Sequence, residues 1–84
     1  MRIVYFASVR EAIGRDGEER DLPESVLSVA DCLDWMSGQG VQYSAAFGNR
    51  SKLRFALDQK IAKADAMLSG ATELAIFPPV TGGC

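Results

Sequence analysis

Few side chains of this 84-residue chain could carry out catalysis. It contains no His, which removes the commonest general base and any Ser-His or Cys-His nucleophile pair. Its two cysteines, Cys32 and Cys84, are too few to form a four-ligand zinc site. A hydrolase or a metal centre is therefore disfavoured, and we expect no bound cofactor and no metal ligands.

The chemically distinctive segment is the C-terminal tail, residues 78–84. Pro78 and Pro79 lack amide protons and have a fixed φ, so they should end the sheet hydrogen bonding and lead the chain out in an extended course. From Pro79 to Gly83 the chain could span roughly 15 Å at about 3.3 Å per residue. Gly82 and Gly83 have no side chains, so the tip is thin enough to enter a narrow channel of another protein. The sequence thus predicts a domain at 1–77 and an extended arm at 78–84.

The composition is typical of one small soluble domain, with 48% hydrophobic residues, 24% charged residues and a net charge of −2. The absence of a basic run disfavours nucleic-acid binding. No stretch approaches the roughly 20 apolar residues of a membrane span, and the N-terminal apolar run is too short for a signal peptide. We therefore expect no membrane partner, a cytoplasmic location and a reduced Cys32.

The N-terminal quarter predicts two strands around a short helical turn. Residues 3–8 are rich in β-branched and aromatic side chains, which indicates a strand buried on both faces. Val9, Ala12 and Ile13 follow at helical spacing and end at Gly14, which is typical of a single helical turn. Residues 18–22 are polar enough for a weak edge strand.

The middle of the chain predicts the main helix. Ser28 can cap it, with Asp31 completing a capping box. An apolar stripe follows, made of Val29, Cys32, Leu33 and Met36. Cys32 is interpreted as core packing, whereas Trp35, off the stripe, could pack at the periphery or contact a partner. Residues 41–48 favour a second short helix over an irregular packed loop.

The C-terminal half predicts three strands. Residues 53–58 alternate apolar and polar side chains with period two. Asp58-Gln59 then reads as a tight turn into a short strand around Ile61, and residues 73–77 form a strand inside the sheet. This order predicts an α+β fold, a β-grasp or ubiquitin-like roll whose mixed sheet carries one main helix across one face.

Three motifs resemble the small, sulfur-carrying subunit of molybdopterin synthase: Phe6-Ala7-Ser8-Val9-Arg10-Glu11, Asp58-Gln59 and Phe77-Pro78-Pro79-Val80-Thr81-Gly82-Gly83. In that family a separate activating enzyme adenylates the final glycine carboxylate with ATP, and a thiocarboxylate replaces it. The large synthase subunit then takes in the tip, and the sulfur passes to cyclic pyranopterin monophosphate to build the dithiolene of molybdopterin. The resemblance implies a carrier that supplies no acid or base and binds no cofactor, in a heterotetramer with the large subunit.

The resemblance also assigns roles along the tail. Gly83 would bear the thiocarboxylate, and Gly82 would be its slim neighbour. The inserted arm would comprise Pro78, Pro79, Val80 and Thr81, with Phe77 at its base. Phe6, Val9 and Arg10 would belong to the body of the fold.

The chain departs from the family pattern in three places. Asp58 stands where Asn is usual, and residues 71–73 read Ala-Thr-Glu where Gly-Asp-Glu is usual. Cys84 follows Gly83, so the Gly83 carbonyl lies in a peptide bond and cannot be adenylated. Either Cys84 is removed before use, or it was added for expression, or this copy is inactive or uses another sulfur chemistry such as a Cys84 persulfide.

Two other functions remain open for the same pattern. The chain could carry sulfur for thiazole or tRNA thiolation, or be attached to lysines as a protein modifier. Alternatively, it could be a β-grasp interaction module whose tail has no chemistry.

Overall fold

The computed structural model describes residues 1–79. These residues form the strands and helices β1 (Arg2–Tyr5), α1 (Ala7–Ile13), β2 (Gly17–Glu19), α2 (Val29–Ser37), α3 (Val41–Ala46), β3 (Arg54–Leu57), β4 (Lys60–Ala62) and β5 (Glu73–Phe77). A short 3-10 turn, Arg50–Lys52, precedes β3.

The strands form one mixed sheet in the order β2-β1-β5-β3-β4. The central strands β1 and β5 are parallel, and the other three pairings are antiparallel. A parallel central pair needs a long crossover, and here the helices and the β3–β4 hairpin supply it. This arrangement confirms the predicted α+β, β-grasp fold and places β5, which leads into the tail, at the centre of the sheet.

Helix α2 forms as its local sequence predicts. The Asp31 N–H donates to Ser28 Oγ and the Ser28 N–H donates to Asp31 Oδ2, both at 3.2 Å, which is the reciprocal capping box. The apolar stripe Val29, Cys32, Leu33 and Met36 is fully buried in the core. Cys32 is therefore a packing residue, and burial raises the pKa of its thiol to about 11.

One carboxylate, that of Glu18 on β2, lies inside the core face of the sheet. Its Oε2 accepts hydrogen bonds from the hydroxyls of Tyr5 (2.8 Å) and Tyr43 (2.6 Å), and its Oε1 accepts from Arg20 Nε at 2.7 Å. The Arg20 guanidinium also lies 6.0 Å from the Trp35 ring centroid. The cluster links β1, β2, α2 and α3, and it gives Trp35 a packing role at the edge of the core.

The N-terminal strand is shorter than predicted. Two shorter helices, α1 and α3, accompany the main helix α2. The strand predicted at 3–8 ends at Tyr5, because Ala7 takes a positive φ of 51° and starts α1. That helix ends at Gly14, with φ 90°, as its sequence indicates. The weak edge strand is present at the edge of the sheet but lies at Gly17–Glu19 rather than 18–22.

Candidate functional site

The candidate site begins where β5 ends. Phe77, the last residue of the strand, lies opposite Arg54 of β3. Pro78 and Pro79 follow outside the sheet, and neither has an N–H with which to continue its hydrogen bonding. The remaining predicted site residues, Val80, Thr81, Gly82 and Gly83, lie outside the described part of the chain.

Phe77 packs against Phe6, which connects β1 to α1. The two rings meet edge to face, with centroids 6.5 Å apart and planes at 81°. Phe6 is 47% exposed, so this aromatic pair is a surface feature and not part of the core. Phe6 thus belongs to the described domain, with its ring at the surface beside the tail base.

An apolar strip crosses the sheet next to this pair, on the face turned away from the core. Alternation along the strands places Val4, Ala75, Ala56 and Ile61 side by side, since each is paired with the next across the sheet. Their neighbours along the strands, such as Ile3 and Leu74, belong to the core instead. Ile61 is 78% exposed, whereas Ala56 and Ala75 are each 8% exposed, so Ile61 provides most of the apolar area that the strip offers to another molecule.

A shallow groove of about 490 Å³ lies on the other side of the tail base. Pro78 and Pro79 form one wall, and α1, α3 and the turn before β3 form the others. Its lining includes the small side chains Ala12 and Ala46 and the cationic side chain Lys52. The two prolines thus leave the sheet alongside α1 and α3.

The Arg54 side chain, near the tail base, makes hydrogen bonds to the backbone before β3. The Arg54 guanidinium donates to the backbone carbonyls of Leu53 (2.9 Å) and Ser51 (3.2 Å). Within residues 1–79, no group of three His, Cys, Asp or Glu side chains is placed to hold a metal ion. None of the helices described is long and apolar enough to cross a membrane.

Asp58 holds the β3–β4 turn against the start of β5. Its Oδ1 accepts three hydrogen bonds of 2.9 Å, from the N–H and hydroxyl of Thr72 and from the N–H of Glu73. The hydrogen bonds from Thr72 and Glu73 keep the pKa of this exposed carboxyl below its usual value. Two of the departures from the family pattern, at position 58 and at 71–73, therefore meet in one contact.

Comparison with known proteins decides the family. The sequence model of the ThiS family matches residues 3–83, nearly the whole chain. The chain belongs to the ThiS family. The match extends through the tail as far as the second glycine, so the ThiS family pattern includes the segment that the residues alone single out.

Two bacterial proteins are similar to this chain over nearly their full length. The chain is 34% identical to the molybdopterin synthase sulfur carrier subunit of Escherichia coli, covering 99% of each chain. It is 28% identical to the subunit of the same name from Haemophilus influenzae, again over 99% of each. The crystal structure of SAMP1 from Haloferax volcanii superposes with a TM-score of 0.71 at 25% identity, covering 99% of this chain and 98% of that one.

Sequence reasoning missed two features of this ThiS family chain. The exposure of the Phe6 ring could have been predicted from the sequence. Phe6 lies two residues after Val4, so side-chain alternation along the strand places both on the outer face of the sheet. The burial of Glu18 had no local signal, because its Tyr partners lie 13 and 25 residues away in the chain.

Proposed function

We propose that this protein is the sulfur carrier subunit of molybdopterin synthase and that Gly83 is its sulfur-bearing residue. The family match that continues to residue 83 carries this proposal, because it joins the Gly82-Gly83 tip to a β-grasp domain. The full-length similarity to sulfur carrier subunits of two bacteria supports it. The protein works in the cytoplasm, in a heterotetramer whose large subunits form the centre.

The proposed chemistry starts with the peptide bond between Gly83 and Cys84. Hydrolysis releases Cys84 and leaves a Gly83 carboxylate, which is a poor electrophile. The carboxylate attacks the α-phosphate of ATP on the activating enzyme, expelling pyrophosphate and forming an acyl adenylate. Hydrosulfide, or an equivalent sulfur donor, then displaces AMP to give the thiocarboxylate.

In the proposed transfer step, the large subunit takes in the tail and the sulfur passes to cyclic pyranopterin monophosphate. Water supplies the oxygen that restores the Gly83 carboxylate. The carrier contributes position and a bound sulfur atom to this step. The large subunit must supply the acid–base groups.

The outer face of the sheet is the proposed contact surface for the large subunit. A protein that encloses residues after Pro79 must pass close to the aromatic pair and to the apolar strip beside it. Burying the Ile61 side chain there would add about 1.5–3 kcal/mol, a contribution typical of a large aliphatic residue. The strip therefore adds affinity without taking part in the chemistry.

Intact mass spectrometry tests the proposal directly. A chain ending at Gly83, incubated with ATP, the activating enzyme and a sulfur donor, should gain about 16 Da because one sulfur replaces one oxygen. The chain that retains Cys84 is the matched control and should gain nothing. Adding the large subunit and cyclic pyranopterin monophosphate should then remove the added mass and yield molybdopterin.

Other outcomes separate the alternatives. Mass gain without molybdopterin formation would favour a carrier for thiazole or tRNA thiolation. Conjugates between the tail and lysines of other proteins would favour a protein modifier. If a chain ending at Gly83 gains no mass, the remaining alternative is an interaction module whose tail has no chemistry.

A further inference from the structure

The backbone of Phe6 is fixed from both sides at the junction of β1 and α1. Its N–H donates to the Ile76 carbonyl at 3.2 Å, which extends the β1–β5 pairing by one residue. Its carbonyl accepts from the N–H groups of Val9 (3.1 Å) and Arg10 (3.3 Å), which begin α1. The ring of Phe6 therefore projects from an anchored segment and not from a loop.

The next residue makes this junction unusual. Ala7 has a φ of 51°, a left-handed conformation that is unfavourable for a residue with a Cβ. The bend turns the chain into α1 while the Phe6 ring stays on the outer face, 47% exposed. Helix α1, which this bend starts, buries Val9 and Ile13 in the core, while the Phe6 ring at the bend stays at the surface.

The contact that the Phe6 ring makes is with Phe77, the last residue before the two prolines. The edge-to-face contact has a centroid distance of 6.5 Å and restricts the side-chain rotamer of Phe77. Pro78 restricts the backbone of Phe77 to extended conformations, and the prolines offer no N–H to the sheet. The direction in which the chain leaves the sheet thus depends on Phe77, and the Phe6 ring is a side chain in direct contact with it.

We propose that Phe6 is a positioning residue for sulfur transfer, acting through Phe77 to set the direction in which the tail leaves the domain. This inference rests on the proposed carrier function. A change of direction at Phe77 alters the position from which the residues after Pro79 enter the large subunit. Reacting atoms must lie within about 3–3.5 Å of each other, so a misdirected tail slows the transfer step itself.

Single-turnover sulfur transfer separates positioning from docking. The thiocarboxylated chain ending at Gly83 is mixed with increasing concentrations of the large subunit, and molybdopterin formation gives a maximal rate and a half-saturating concentration. Phe6→Leu should lower the maximal rate about two- to tenfold, the range expected for one lost aromatic contact, with little change in half-saturation. Phe6→Tyr, which keeps the ring, should have the maximal rate of the unsubstituted protein.

Two further variants calibrate these readouts. Ile61→Ala removes apolar area from the proposed contact strip, so it should raise the half-saturating concentration and leave the maximal rate unchanged. Val41→Ala removes a side chain that is 82% exposed at the start of α3, and it should change neither value.

A double-mutant cycle with Phe77→Leu tests whether Phe6 acts through Phe77. If it does, Phe6→Leu lowers the maximal rate in the original protein but has no further effect in the Phe77→Leu background. Because this comparison is made within folded variants at saturating large subunit, a loss of thermal stability does not affect it.

The outcomes are distinct. Additive effects in the cycle, an unchanged maximal rate in Phe6→Leu, or a change in half-saturation alone would overturn the positioning role while leaving the carrier function intact. No transfer by the unsubstituted thiocarboxylated chain would overturn the carrier function and this inference with it.

Discussion

Glu18→Gln should remove a large part of the stability of this domain. The Glu18 side chain is only 8% exposed, and its two oxygens accept from Tyr5, Tyr43 and Arg20 at 2.6–2.8 Å. Glutamine has the same shape but only one acceptor oxygen, and its amide group is a donor. In either orientation the amide N–H₂ faces a group that donates to Glu18, so one or more buried donors lose their acceptor.

The size of the effect follows from these contacts. A buried polar group left without a partner costs about 1–3 kcal/mol, and hydrogen bonds to charged groups are worth about 1.5–3 kcal/mol. We expect Glu18→Gln to lower the free energy of unfolding by about 2–4 kcal/mol. For a domain of this length, about 4–8 °C of melting temperature corresponds to 1 kcal/mol, so the melting temperature should fall by roughly 8–30 °C.

Thermal and urea unfolding, followed by circular dichroism, measure this loss. The matched control is Glu19→Gln on the adjacent residue, whose side chain is 69% exposed and pairs with the N-terminal ammonium at 3.1 Å. Such a surface pair contributes about 0–1 kcal/mol, so the control should melt within a few degrees of the original protein. Equal melting temperatures for the two variants would refute the role assigned to the buried carboxylate.

Because of the same carboxylate, we expect the free energy of unfolding to fall at acid pH. Burial raises the pKa of Glu18, but hydrogen bonds from Tyr43, Tyr5 and Arg20 outweigh it, so the pKa lies below its ordinary value of 4.5. A lowered pKa in the folded state contributes stability above pH 4.5 that is lost as the pH falls through the folded-state pKa. The Glu18→Gln variant should lack this part of the acid dependence.

Substitutions at four further positions test other parts of the chain. Burial raises the pKa of Tyr5 above its ordinary 10.0, so stability should fall above pH 10, and Tyr5→Phe should weaken that fall in alkaline denaturation. Asp58→Asn keeps the acceptor for Thr72 and should keep the melting temperature at pH 7, whereas Asp58→Ala should lower it. Gly14→Ala places a Cβ at φ 90° and should cost about 1 kcal/mol in urea unfolding. Gly82→Val should leave the melting temperature unchanged but block sulfur transfer, because a branched side chain thickens the tip. Unimpaired transfer by that variant would contradict insertion into a narrow channel.

Local signals account for the elements that the sequence predicts well. Helix α2 carries its own cap in Ser28 and Asp31 and its own buried stripe, so no distant contact is needed to specify it. The β3–β4 turn at Asp58-Gln59 is equally local, with φ values of 49° and 70° that suit a tight hairpin. Elements of this kind can be located from a short window of sequence.

The features that the sequence does not predict depend on contacts distant in the chain. The end of β1 depends on a positive φ at Ala7, which alanine does not signal, and on the pairing of Phe6 with the end of β5. The burial of Glu18 depends on Tyr5 and Tyr43. For the site, the sequence predicts the strand that ends at Phe77, and the structure has it at the same residues, but the ring that contacts Phe77 comes from the opposite end of the chain.

The two faces of the sheet make stability and sulfur transfer separable. Glu18 is paired with Ile3 on the core face, whereas Phe6 and Phe77 meet on the outer face. Alternation along β1 therefore directs the stabilising polar cluster and the aromatic pair to opposite sides of the same strand. Glu18 variants should change unfolding far more than the maximal transfer rate at temperatures where they stay folded, and Phe6 variants should show the reverse. Proportional losses of stability and rate in both sets would mean that the tail base depends on the core and has no separate role.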